Sequence, residues 1–545
     1  MPRSMLSVIC RTARFAAMLL AAFTALALAH ERAFAAALPD APKTFDTTYA
    51  APAGATLHVG AGGDLQSAFD RAQPGDTIVL EAGATFTGPF TLPNKTSGSG
   101  WIYVVSSKLQ SLPGPGHRVS PQDAANMPHI VPRAYANALS SALATVDNSH
   151  HFRFVGIDFA SVAGPELYTL VVIGNRDTSP ATLAHHIVFD RCYVHGEPGA
   201  NNRRGIEMDG AYVAVVDSYI SDFQEVNTDT QALWAHNTTG PLQIRNDYIE
   251  AAGENVLFGG ADSRSAELVP ADIEITDNYF YKPLALIPTT FTVKNLLEFK
   301  AALRVLVTGN TFENNPAKSQ QGFAIVITPR NQSDTAPWSA TTDIAIVGNT
   351  LINVGSGFNL MGHDSRPTLL TERILIRDNV VGVTGLNGAD GRAFQFTAGG
   401  SDYTIDHNTI VYSASIPPTS DLGMAESTLR VNNFVFTNNL ATHSHWGFFG
   451  SGVGEGTAAL NSNFSNWTFS RNVIVDAPAG VYPAGNFFPS GLAMVRFSNF
   501  TAGSYALAAD SPYKNAATDG TDIGANRGMV ATVIAPNPPT NLAVR

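Results

Sequence analysis

Cysteine is nearly absent from this chain of 545 residues, which contains two, Cys10 and Cys192. Cys10 lies in an N-terminal segment that we predict to be removed, so Cys192 remains alone and no internal disulfide can form. A chain of this length does not need one, because the fraction of surface buried on folding rises with size. We therefore expect a large hydrophobic core to hold the protein together.

Charged residues are also scarce, at 14% of the chain, and the net charge is −12. This composition, with its many glycine, asparagine, threonine and aliphatic residues, favours stacked β-structure over helical bundles. The excess of negative charge argues against nucleic acid as a partner. It leaves an acidic polysaccharide open as a partner, because a local basic cleft can bind a polyanion despite the overall sign. We expect a monomer.

Long hydrophobic runs are absent beyond the N-terminus, so we expect no membrane span. At the N-terminus, a basic region with Arg3, Arg11 and Arg14 precedes an apolar run from Phe15 to Ala29. An Ala-x-Ala cleavage site follows at residues 33–35. These features are typical of a secretory signal peptide, which we assign to residues 1–35. The mature protein is expected to be secreted or periplasmic.

A short sequence pattern recurs along the chain: apolar-x-apolar-x-x-Asn-x-apolar, where x is any residue. Its first clear copy runs from Ile273 to Phe280. The Asn slot is filled at Asn278, Asn310, Asn349, Asn379, Asn408, Asn439 and Asn472, and earlier slots hold Ile157, Cys192, Ser218 and Asp247. The slots from 157 to 472 span 315 residues in ten steps, a mean near 31. A period of this size indicates a solenoid or an array of repeats.

Each copy of the pattern alternates apolar and polar residues, as in a strand with one buried face. Asn tolerates the left-handed backbone conformation, so we place it in a tight bend between two short strands. Stacked coils repeat every ~4.8 Å, which lets the Asn side chains bond one another along the stack. The pattern predicts an all-β fold, a right-handed parallel β-helix over residues 36–528. An antiparallel β-sandwich with Asn in its turns is the alternative.

The two ends of the repeat carry segments that differ from it, as expected for a solenoid whose open ends must be covered. Residues 63–72 predict a short amphipathic helix with Asp64 as its N-cap, which would plug the first coil. Residues 511–524 form the closing segment. Residues 529–545 predict a Pro-rich linker followed by the start of a fibronectin type III-like module.

The plug helix, the Asn-turn coils and the segment from Glu250 to Gly260 resemble bacterial exported right-handed parallel β-helix repeat proteins, which have a pectate-lyase-like fold. The resemblance covers nearly all of the mature chain. It implies the fold but no single chemistry, since this fold is shared by lyases, hydrolases, epimerases and non-catalytic binding proteins.

Two cationic residues on consecutive coils, Lys300 and Arg330, indicate a candidate catalytic site. If Leu297 and Phe299 face inward, Glu298 and Lys300 face outward, and Arg330 lies on the same wall one coil later. β-Elimination from a uronic acid needs a base, a group that neutralises the carboxylate and a proton donor. A lysine beside another cation can act as the base, and an arginine can bind the carboxylate through two hydrogen bonds.

This arrangement resembles the alginate lyase and chondroitinase B family of β-helical lyases. The resemblance implies that Lys300 is the base, that Arg330 assists it and that calcium neutralises the carboxylate. This chain has a longer Lys-to-Arg interval, and Val293 and Asn295 stand where the family has two glutamates. Asn295, Glu254, Asp262 and Glu298 are the oxygen ligands left for calcium.

Further polar residues are candidates for the same wall. His363, followed by Asp364, lies one coil beyond Arg330 and is a candidate catalytic residue. Arg203 and Arg204, with Glu207 and Asp209, either bind an anionic sugar or form an ordinary polar wall. Trp234 and His236 lie on an earlier coil than Lys300, where the Trp ring either stacks on a sugar or is buried under a loop. The pair His185–His186 has no further His or Cys at ligand spacing in the sequence, so zinc is not expected there.

The sequence therefore favours a carbohydrate-active protein, and first a polysaccharide lyase that acts on a uronic-acid-containing glycan. That hypothesis predicts that Lys300 and Arg330 converge in one open groove. The alternative is a non-catalytic glycan-binding or cell-surface protein, in which Glu298 pairs with Lys300 and Arg330 turns elsewhere. A glycoside hydrolase comes third, since it needs two outward carboxylates ~5–10 Å apart.

Overall fold

The computed structural model describes residues 36–526, except 51, 99, 175, 414, 427–428 and 501–502. The predicted signal peptide at 1–35 and the predicted C-terminal module at 529–545 lie outside the described residues. Within the described part, no helix has both the length and the apolar character that crossing a membrane requires.

The chain winds into three long sheets of parallel strands, and each full coil adds one strand to each sheet in turn. Sheet 1 consists of β1 (Thr56–Val59), β2 (Thr77–Leu80), β5 (Ile102–Ser106), β8 (His150–Val155), β11 (His185–Asp190), β14 (Ala211–Val216), β17 (Leu242–Arg245), β20 (Ala271–Thr276), β23 (Ala302–Thr308), β26 (Thr341–Val347), β29 (Glu372–Arg377), β32 (Gly400–Asp406), β35 (Val431–Thr437) and β39 (Phe464–Ser470). Sheet 2 consists of β3 (Thr85–Thr87), β6 (His129–Val131), β9 (Asp158–Ala160), β12 (Tyr193–His195), β15 (Tyr219–Phe223), β18 (Tyr248–Ala251), β21 (Tyr279–Tyr281), β24 (Thr311–Asn315), β27 (Thr350–Val354), β30 (Val380–Val383), β33 (Thr409–Tyr412), β36 (Leu440–Thr442) and β40 (Val473–Val475).

Sheet 3 has a short antiparallel strand, β38, at its end. It consists of β4 (Phe90–Leu92), β7 (Leu143–Thr145), β10 (Val171–Ile173), β13 (Arg204–Met208), β16 (Gln231–Ala235), β19 (Glu254–Phe258), β22 (Leu297–Phe299), β25 (Phe323–Ile327), β28 (Ser356–Met361), β31 (Phe394–Thr397), β34 (Gly423–Glu426), β37 (Phe448–Gly450) and β38 (Gly454–Glu455). The fold is thus a parallel β-helix, as predicted. Connections between parallel strands of one sheet are right-handed almost without exception.

The core fills the interior of the coils because every second residue of each strand points inward. In sheet 1, Ile273 and Ile275 of β20 stand in register with Val305 and Val307 of β23, and all four are buried. The stacking repeats the same kind of side chain one coil above another, so that each apolar layer is covered by the next. The apolar residues of the alternating pattern in the sequence are the residues on this inward face.

The predicted ladder of Asn side chains is confirmed, and it lies between sheet 1 and sheet 2 in the coils from Asn278 onward. Asn310 shows the pattern: its backbone N–H and its Nδ2 both donate to Asn349 Oδ1, at 3.0 and 2.9 Å. Nδ2 also donates to Ile275 O one coil below, at 2.8 Å. The ladder continues one rung past the predicted slots, from Asn472 to Asn486.

One detail of the predicted bend is wrong. The left-handed conformation belongs to the residue before the Asn, as at Asp277 (φ 58°) and Gly309 (φ 71°), and not to the Asn itself. The Asn is held instead by its side-chain bonds to two neighbouring coils. The preceding position is the one that needs glycine, or a residue that tolerates positive φ.

The predicted N-terminal plug is the helix α1 (Leu65–Arg71), capped by Asp64, whose carboxylate accepts from Ser67 N–H. Leu65, Ala68 and Phe69 are its buried residues, and Phe69 packs against three phenylalanines of the first coils. The other end has the helix α2 (Thr457–Asn463) and a hairpin of β41 (Phe497–Asn499) and β42 (Ser504–Leu507). Short 3₁₀ helices lie at Leu109–Ser111, Pro121–Asn126, Pro180–Thr182, Ala266–Leu268, Leu284–Leu286, Leu386–Gly388, Ala479–Val481 and Leu492–Met494.

The predicted closing segment also covers the last coil. Tyr513 and Ile523 are buried in one apolar cluster with Leu440, Val473 and Val475 of the final strands of sheet 2. Both open ends of the β-helix are therefore shielded from water, which a solenoid requires.

Residues 36–50 form a strap that crosses the outside of sheet 1. Its backbone N–H groups at Ala37, Asp40 and Lys43 donate to Asp402, Asp343 and Asp272, at 3.0, 3.1 and 3.0 Å. These aspartates lie two coils apart, or ~9.6 Å at the usual strand spacing. Three extended residues span nearly the same distance, at ~3.1 Å each in a polyproline-like chain. The strap is thus in register with the coils.

Candidate functional site

Apart from His185 and His186, which begin β11 of sheet 1, the candidate site residues lie on the outer face of sheet 3 and in the turns beside its strands. As predicted, Leu297 and Phe299 of β22 point into the core, while Glu298 points outward. Lys300 follows at the end of the same strand. The wall has two parts, a lysine cluster around Lys300 and an open groove on earlier coils.

Lys300 and Arg330 are adjacent on consecutive coils, because Arg330 N–H donates to Lys300 O at 2.9 Å. Each side chain has a carboxylate partner. Lys300 Nζ lies 3.4 Å from Glu298 Oε1, and Arg330 Nη1 lies 2.8 Å from Asp364 Oδ1. The Lys300 side chain is 13% exposed and that of Arg330 is 37% exposed. The backbone therefore brings the pair together, but its two cations are engaged by different anions.

The lysine cluster consists of Glu254, Lys294, Asn295, Glu298 and Lys300. Glu254 is fully buried, with Lys294 Nζ at 3.3 Å from its Oε1. Asn295 Nδ2 donates to Glu298 Oε2 at 2.9 Å. Burial, together with the neighbouring Glu254 carboxylate, raises the pKa of Glu298 to about 7, although Lys300 opposes the shift. Burial would also raise the pKa of Glu254, but Lys294 and Lys300 outweigh it and the net shift is downward.

The donors that the sequence offers for calcium do not form a calcium cage here. Both oxygens of Glu254 accept from protein donors, Gln231 Nε2 at 2.8 Å and Lys294 Nζ at 3.3 Å. Asp262 lies apart from them and accepts from the backbone of Ser333 and Thr335, which fixes the loop after Arg330. Two lysine cations already balance the buried carboxylates, so this donor set does not fit the ion. Calcium dependence stays a prediction from the sequence.

The loop after Arg330 folds back across the turn that carries Lys300. Trp338 Nε1 donates to Ser263 Oγ at 3.0 Å, and Ser339 Oγ donates to Lys300 O at 3.3 Å. His363 is half-buried on the next coil, beside the Asp364 that binds Arg330. Lys300, Arg330 and His363 thus follow three successive strands of sheet 3, and the loop limits access to Lys300.

The groove is an open cavity of about 470 Å³ on the coils before the lysine cluster. Its volume falls within the ~300–1,000 Å³ typical of ligand sites. The ionisable and aromatic side chains that line it are Tyr168, Arg176, Arg204, Glu207, Trp234, His236 and Arg264. Sequence reasoning singled out Arg204, Glu207, Trp234 and His236 without placing them in one cavity, and it missed the other three.

Strand register explains how the groove forms. Glu207 of β13 pairs with Trp234 of β16, and Arg204 pairs with Gln231 on the same two strands. The Arg204 guanidinium lies 3.8 Å from the centre of the Trp234 ring, a cation–π contact. Trp234 is only 7% exposed, so it serves as the floor beneath Arg204. Tyr168, which is 55% exposed, is the aromatic ring that faces solvent.

Asp209 positions His236 in the groove. Asp209 Oδ1 accepts from the backbone N–H groups of His236 and Asn237, at 2.7 and 3.0 Å, and Oδ2 lies 2.7 Å from His236 Nδ1. Burial works against protonation of His236, but the Asp209 carboxylate outweighs it and raises the pKa of His236. The shift favours the protonated imidazole, whose other nitrogen is left for a ligand.

Glu207 is the titrating carboxyl of the groove. Burial, with a contribution from the Asp209 carboxylate, raises the pKa of Glu207 to about 7, against the opposing charges of His236 and Arg204. A carboxyl group with such a pKa can exchange protons at neutral pH. Arg204 Nη1 is buried and has no hydrogen-bond partner among the described residues, so one donor of the guanidinium is left unsatisfied.

The two parts of the wall are joined by a chain of hydrogen bonds across three coils. Arg204 Nε donates to Gln231 Oε1 at 2.9 Å, and Gln231 Nε2 donates to Glu254 Oε2 at 2.8 Å. Glu254 in turn holds Lys294 of the lysine cluster. The charges of both parts are thus coupled through one buried network.

No protein-family model matches this chain, and no curated protein matches it. Among solved structures, a family PL6 alginate lyase, AlyGC, is similar at 13% identity with a TM-score of 0.49, over 86% of this chain and 58% of its own. An alginate lyase from Paenibacillus is similar at 13% identity with a TM-score of 0.35, over 80% of this chain and 98% of its own. An α-1,3-glucanase of family GH87 from Streptomyces thermodiastaticus is similar at 13% identity with a TM-score of 0.47, over 82% of this chain and 70% of its own. The neighbours are β-helical polysaccharide lyases and related β-helix enzymes; at these values they say nothing about the activity of this chain.

Proposed function

We propose that this protein cleaves a uronic-acid-containing polysaccharide by β-elimination, and that the reaction takes place in the groove of sheet 3. The observation that carries the proposal is the convergence of Arg204, Glu207 and His236 in an open cavity of about 470 Å³. Together they supply the three groups that the reaction needs: a base, a proton donor and a cation for the carboxylate.

The substrate class follows from the charge of the groove. Arg176, Arg204 and Arg264 line it, and Glu207 is the carboxyl that remains to balance them, since Asp209 is engaged with His236. An arginine binds a carboxylate through two parallel hydrogen bonds, which favours an anionic sugar over a neutral one. Tyr168 offers an exposed ring on which a sugar can stack.

Each residue then has a definite role. Arg204, with its unpartnered Nη1, holds the uronate carboxylate and stabilises the negative charge that develops when the neighbouring carbon loses its proton. Glu207 in its ionised form takes that proton. His236, held protonated by Asp209, donates a proton to the oxygen of the departing sugar. The electron pair of the broken C–H bond forms the new C=C bond, while the pair of the broken C–O bond leaves with the sugar oxygen, which takes the proton from His236.

This assignment gives a definite pH dependence. Glu207 must be ionised to act as the base, so activity rises as pH increases through its pKa of about 7. His236 must be protonated, so activity falls again above its raised pKa. The expected profile is bell-shaped, with an acidic limb near neutral pH.

The site predicted from the sequence is the competing location. Lys300 and Arg330 lie on the same wall, but Glu298 and Asp364 hold their side chains. The alternative hypothesis, a non-catalytic glycan-binding protein, predicts that Lys300 and Arg330 are engaged in this way and do not act together. If substrate displaced the carboxylates, Lys300 would become available as the base instead of Glu207.

The test is the ultraviolet absorbance of the unsaturated uronide product. The purified protein is incubated with alginate, pectate, chondroitin and hyaluronan, with and without calcium. Glu207→Gln and His236→Gln should each lower kcat by ~10²-fold or more. Glu426→Gln, an exposed glutamate at the end of a distant strand of the same sheet, is the matched control and should keep the full rate.

Three outcomes would contradict parts of this proposal. Loss of activity in Lys300→Ala with full activity in Glu207→Gln would move the reaction to the lysine cluster. A requirement for added calcium would show that the arginines do not neutralise the carboxylate. Binding of a polyanion with no product from any substrate would leave the glycan-binding function in place of the lyase.

We also propose that the protein acts outside the cytoplasm. The support is the basic and apolar N-terminal segment with its Ala-x-Ala site at residues 33–35. N-terminal sequencing of protein recovered from culture medium or periplasm should begin after residue 35. Retention of the full chain in the cytoplasm would contradict this location.

A further inference from the structure

Four histidines meet on the outer face of sheet 1, at the start of two neighbouring strands. His150 and His151 begin β8, and His185 and His186 begin β11, with His150 in register with His185. The rings stack in two pairs across the strands, His150 on His185 at 4.9 Å and His151 on His186 at 4.5 Å. We call these four residues the histidine cluster.

Hydrogen bonds decide which nitrogens of the cluster are free. His150 Nε2 lies 2.7 Å from Lys95 O, so it carries a hydrogen and donates to that carbonyl. In a neutral ring, His150 Nδ1 is then bare and accepts from His151 Nδ1, at 2.9 Å. His151 has one hydrogen in its neutral form, so its Nε2 keeps a bare lone pair. The pairing orients the ring as second-shell bonds do in metal sites.

The second pair repeats this arrangement. His185 Nδ1 and His186 Nδ1 are 2.8 Å apart, so one donates to the other. The donor ring keeps a bare Nε2, and the acceptor ring offers its Nδ1 lone pair once a metal ion replaces that hydrogen bond. His186 occupies the same left-handed position as His151, with φ values of 56° and 58°.

We propose that His151, His185 and His186 bind a late first-row divalent metal ion of the kind that prefers imidazole, such as Zn²⁺ or Cu²⁺. One nitrogen from each of the three rings lies within 4.8 Å of the other two. An ion with Zn–N distances of ~2.0–2.1 Å needs ligands ~3.4 Å apart, so small ring movements suffice. The rings are half-buried, which leaves a way in for the ion.

The surroundings fit a fixed metal site. Tyr212 stacks on His186 at 4.4 Å, Phe45 of the strap meets the same ring edge-on at 5.8 Å, and Trp101 lies 5.3 Å from His151. The cluster offers imidazole nitrogens as ligands, and hard cations such as calcium prefer oxygen ligands instead. An ion here would tie β8 to β11 beneath the strap, so binding should stabilise the folded chain.

A second group could compete for the same ion. Glu207, Asp209 and His236 in the groove also place ligand atoms within 4.8 Å of one another. Asp209, however, has its oxygens engaged by His236 and by two backbone N–H groups. The histidine cluster has free imidazole nitrogens instead, and the experiment separates the two sites.

The test is isothermal titration of the whole folded protein, freed of metal by chelation, with Zn²⁺ alone, together with thermal melting. We expect one Zn²⁺ per chain and a melting temperature that rises with Zn²⁺. His186→Phe keeps a stacking ring but removes the nitrogens, and it should abolish both effects. Circular dichroism of the zinc-free variant checks that it has folded. His151→Ala should weaken binding by tenfold or more.

Two control variants complete the design. His117→Ala removes an exposed histidine and His236→Ala removes the groove histidine, and both should bind Zn²⁺ as the parent does. Cu²⁺ bound to the parent should give an electron paramagnetic resonance signal with nitrogen hyperfine structure. Unchanged binding in folded His186→Phe, loss of binding in His236→Ala, or no binding by the parent would each overturn the proposal.

Discussion

Asp247 is the one acidic residue that interrupts the side-chain ladder, and replacing it with Asn should stabilise the protein. Asp247 is fully buried; its Oδ1 accepts from Ser218 N–H at 2.6 Å, while its Oδ2 has no partner among the described residues. Burial first, and the nearby Asp217 second, raises its pKa well above the usual range. In the neighbouring rung, Asn278 Nδ2 donates to Ile244 O and to Asn310 Oδ1, both at 2.9 Å.

An Asn at position 247 would make the two equivalent bonds, to Val215 O and to Asn278 Oδ1. At ~0.5–1.5 kcal/mol for each hydrogen bond, the gain is ~1–3 kcal/mol. The parent also loses stability as pH rises, because its folded state holds a proton that the unfolded state releases above ~3.9. That loss is up to ~1.4 kcal/mol per pH unit until the raised pKa is reached. The advantage of Asp247→Asn should therefore grow from mildly acidic to neutral pH.

The measurement is the midpoint of urea unfolding, followed by circular dichroism at mildly acidic pH and at neutral pH. The reverse change, Asn278→Asp, is the matched comparison, since it removes two donor bonds and inserts a buried carboxyl group. It should lower the midpoint, and more so at neutral pH. A lower midpoint for Asp247→Asn, or a gain independent of pH, would refute the reasoning and show that Asp247 is ionised and held by Arg118 and Arg245.

Further predictions concern the core, the cap and the strap. Asn349→Ala removes four hydrogen bonds and should destabilise the chain by ~2–6 kcal/mol in urea unfolding; the exposed Asn461→Ala in α2 should change stability by less than ~0.5 kcal/mol. Phe69→Ala empties the plug of the first coil and should cost ~3–5 kcal/mol, seen as a lower melting temperature, whereas an unchanged melt would mean that the cap unfolds separately. Asp343→Ala removes the acceptor of Asp40 N–H and should speed proteolytic cleavage within residues 36–50 while leaving the coils intact; equal cleavage rates would argue against the register of the strap.

The repeat could be predicted from the sequence because each coil uses the same local chemistry. The Asn slots, the alternation around them and the capping helix all follow from residues close together in the chain. Even the interrupted rungs at Ser218 and Asp247 were placed in the correct column, since they occupy the same slot in the pattern. The extra rung at Asn486 was missed because it follows Asn472 by 14 residues, far from the usual period.

The site could be predicted only in part. Glu298 and Lys300 are two residues apart on one strand, so their ion pair was foreseen as an alternative. The loop that covers Lys300 was not, because the bond from Trp338 to Ser263 joins residues 75 positions apart. The histidine cluster was missed for the same reason: His185–His186 looked isolated until strand pairing placed His150–His151 beside it.

What the sequence by itself determined is the periodic part of this protein: short strands with one apolar face, a polar bend of fixed chemistry, and ends that differ from the repeat. Burial of a period-two face is a local requirement, so it is visible in every coil. Only the tertiary structure decided which outward side chains meet, because the steps between the slots vary from 26 to 39 residues and the loops fold across several coils. Register and loop position set the contacts of Arg204 with Trp234 and of His151 with His186, and no local pattern in the chain encodes either.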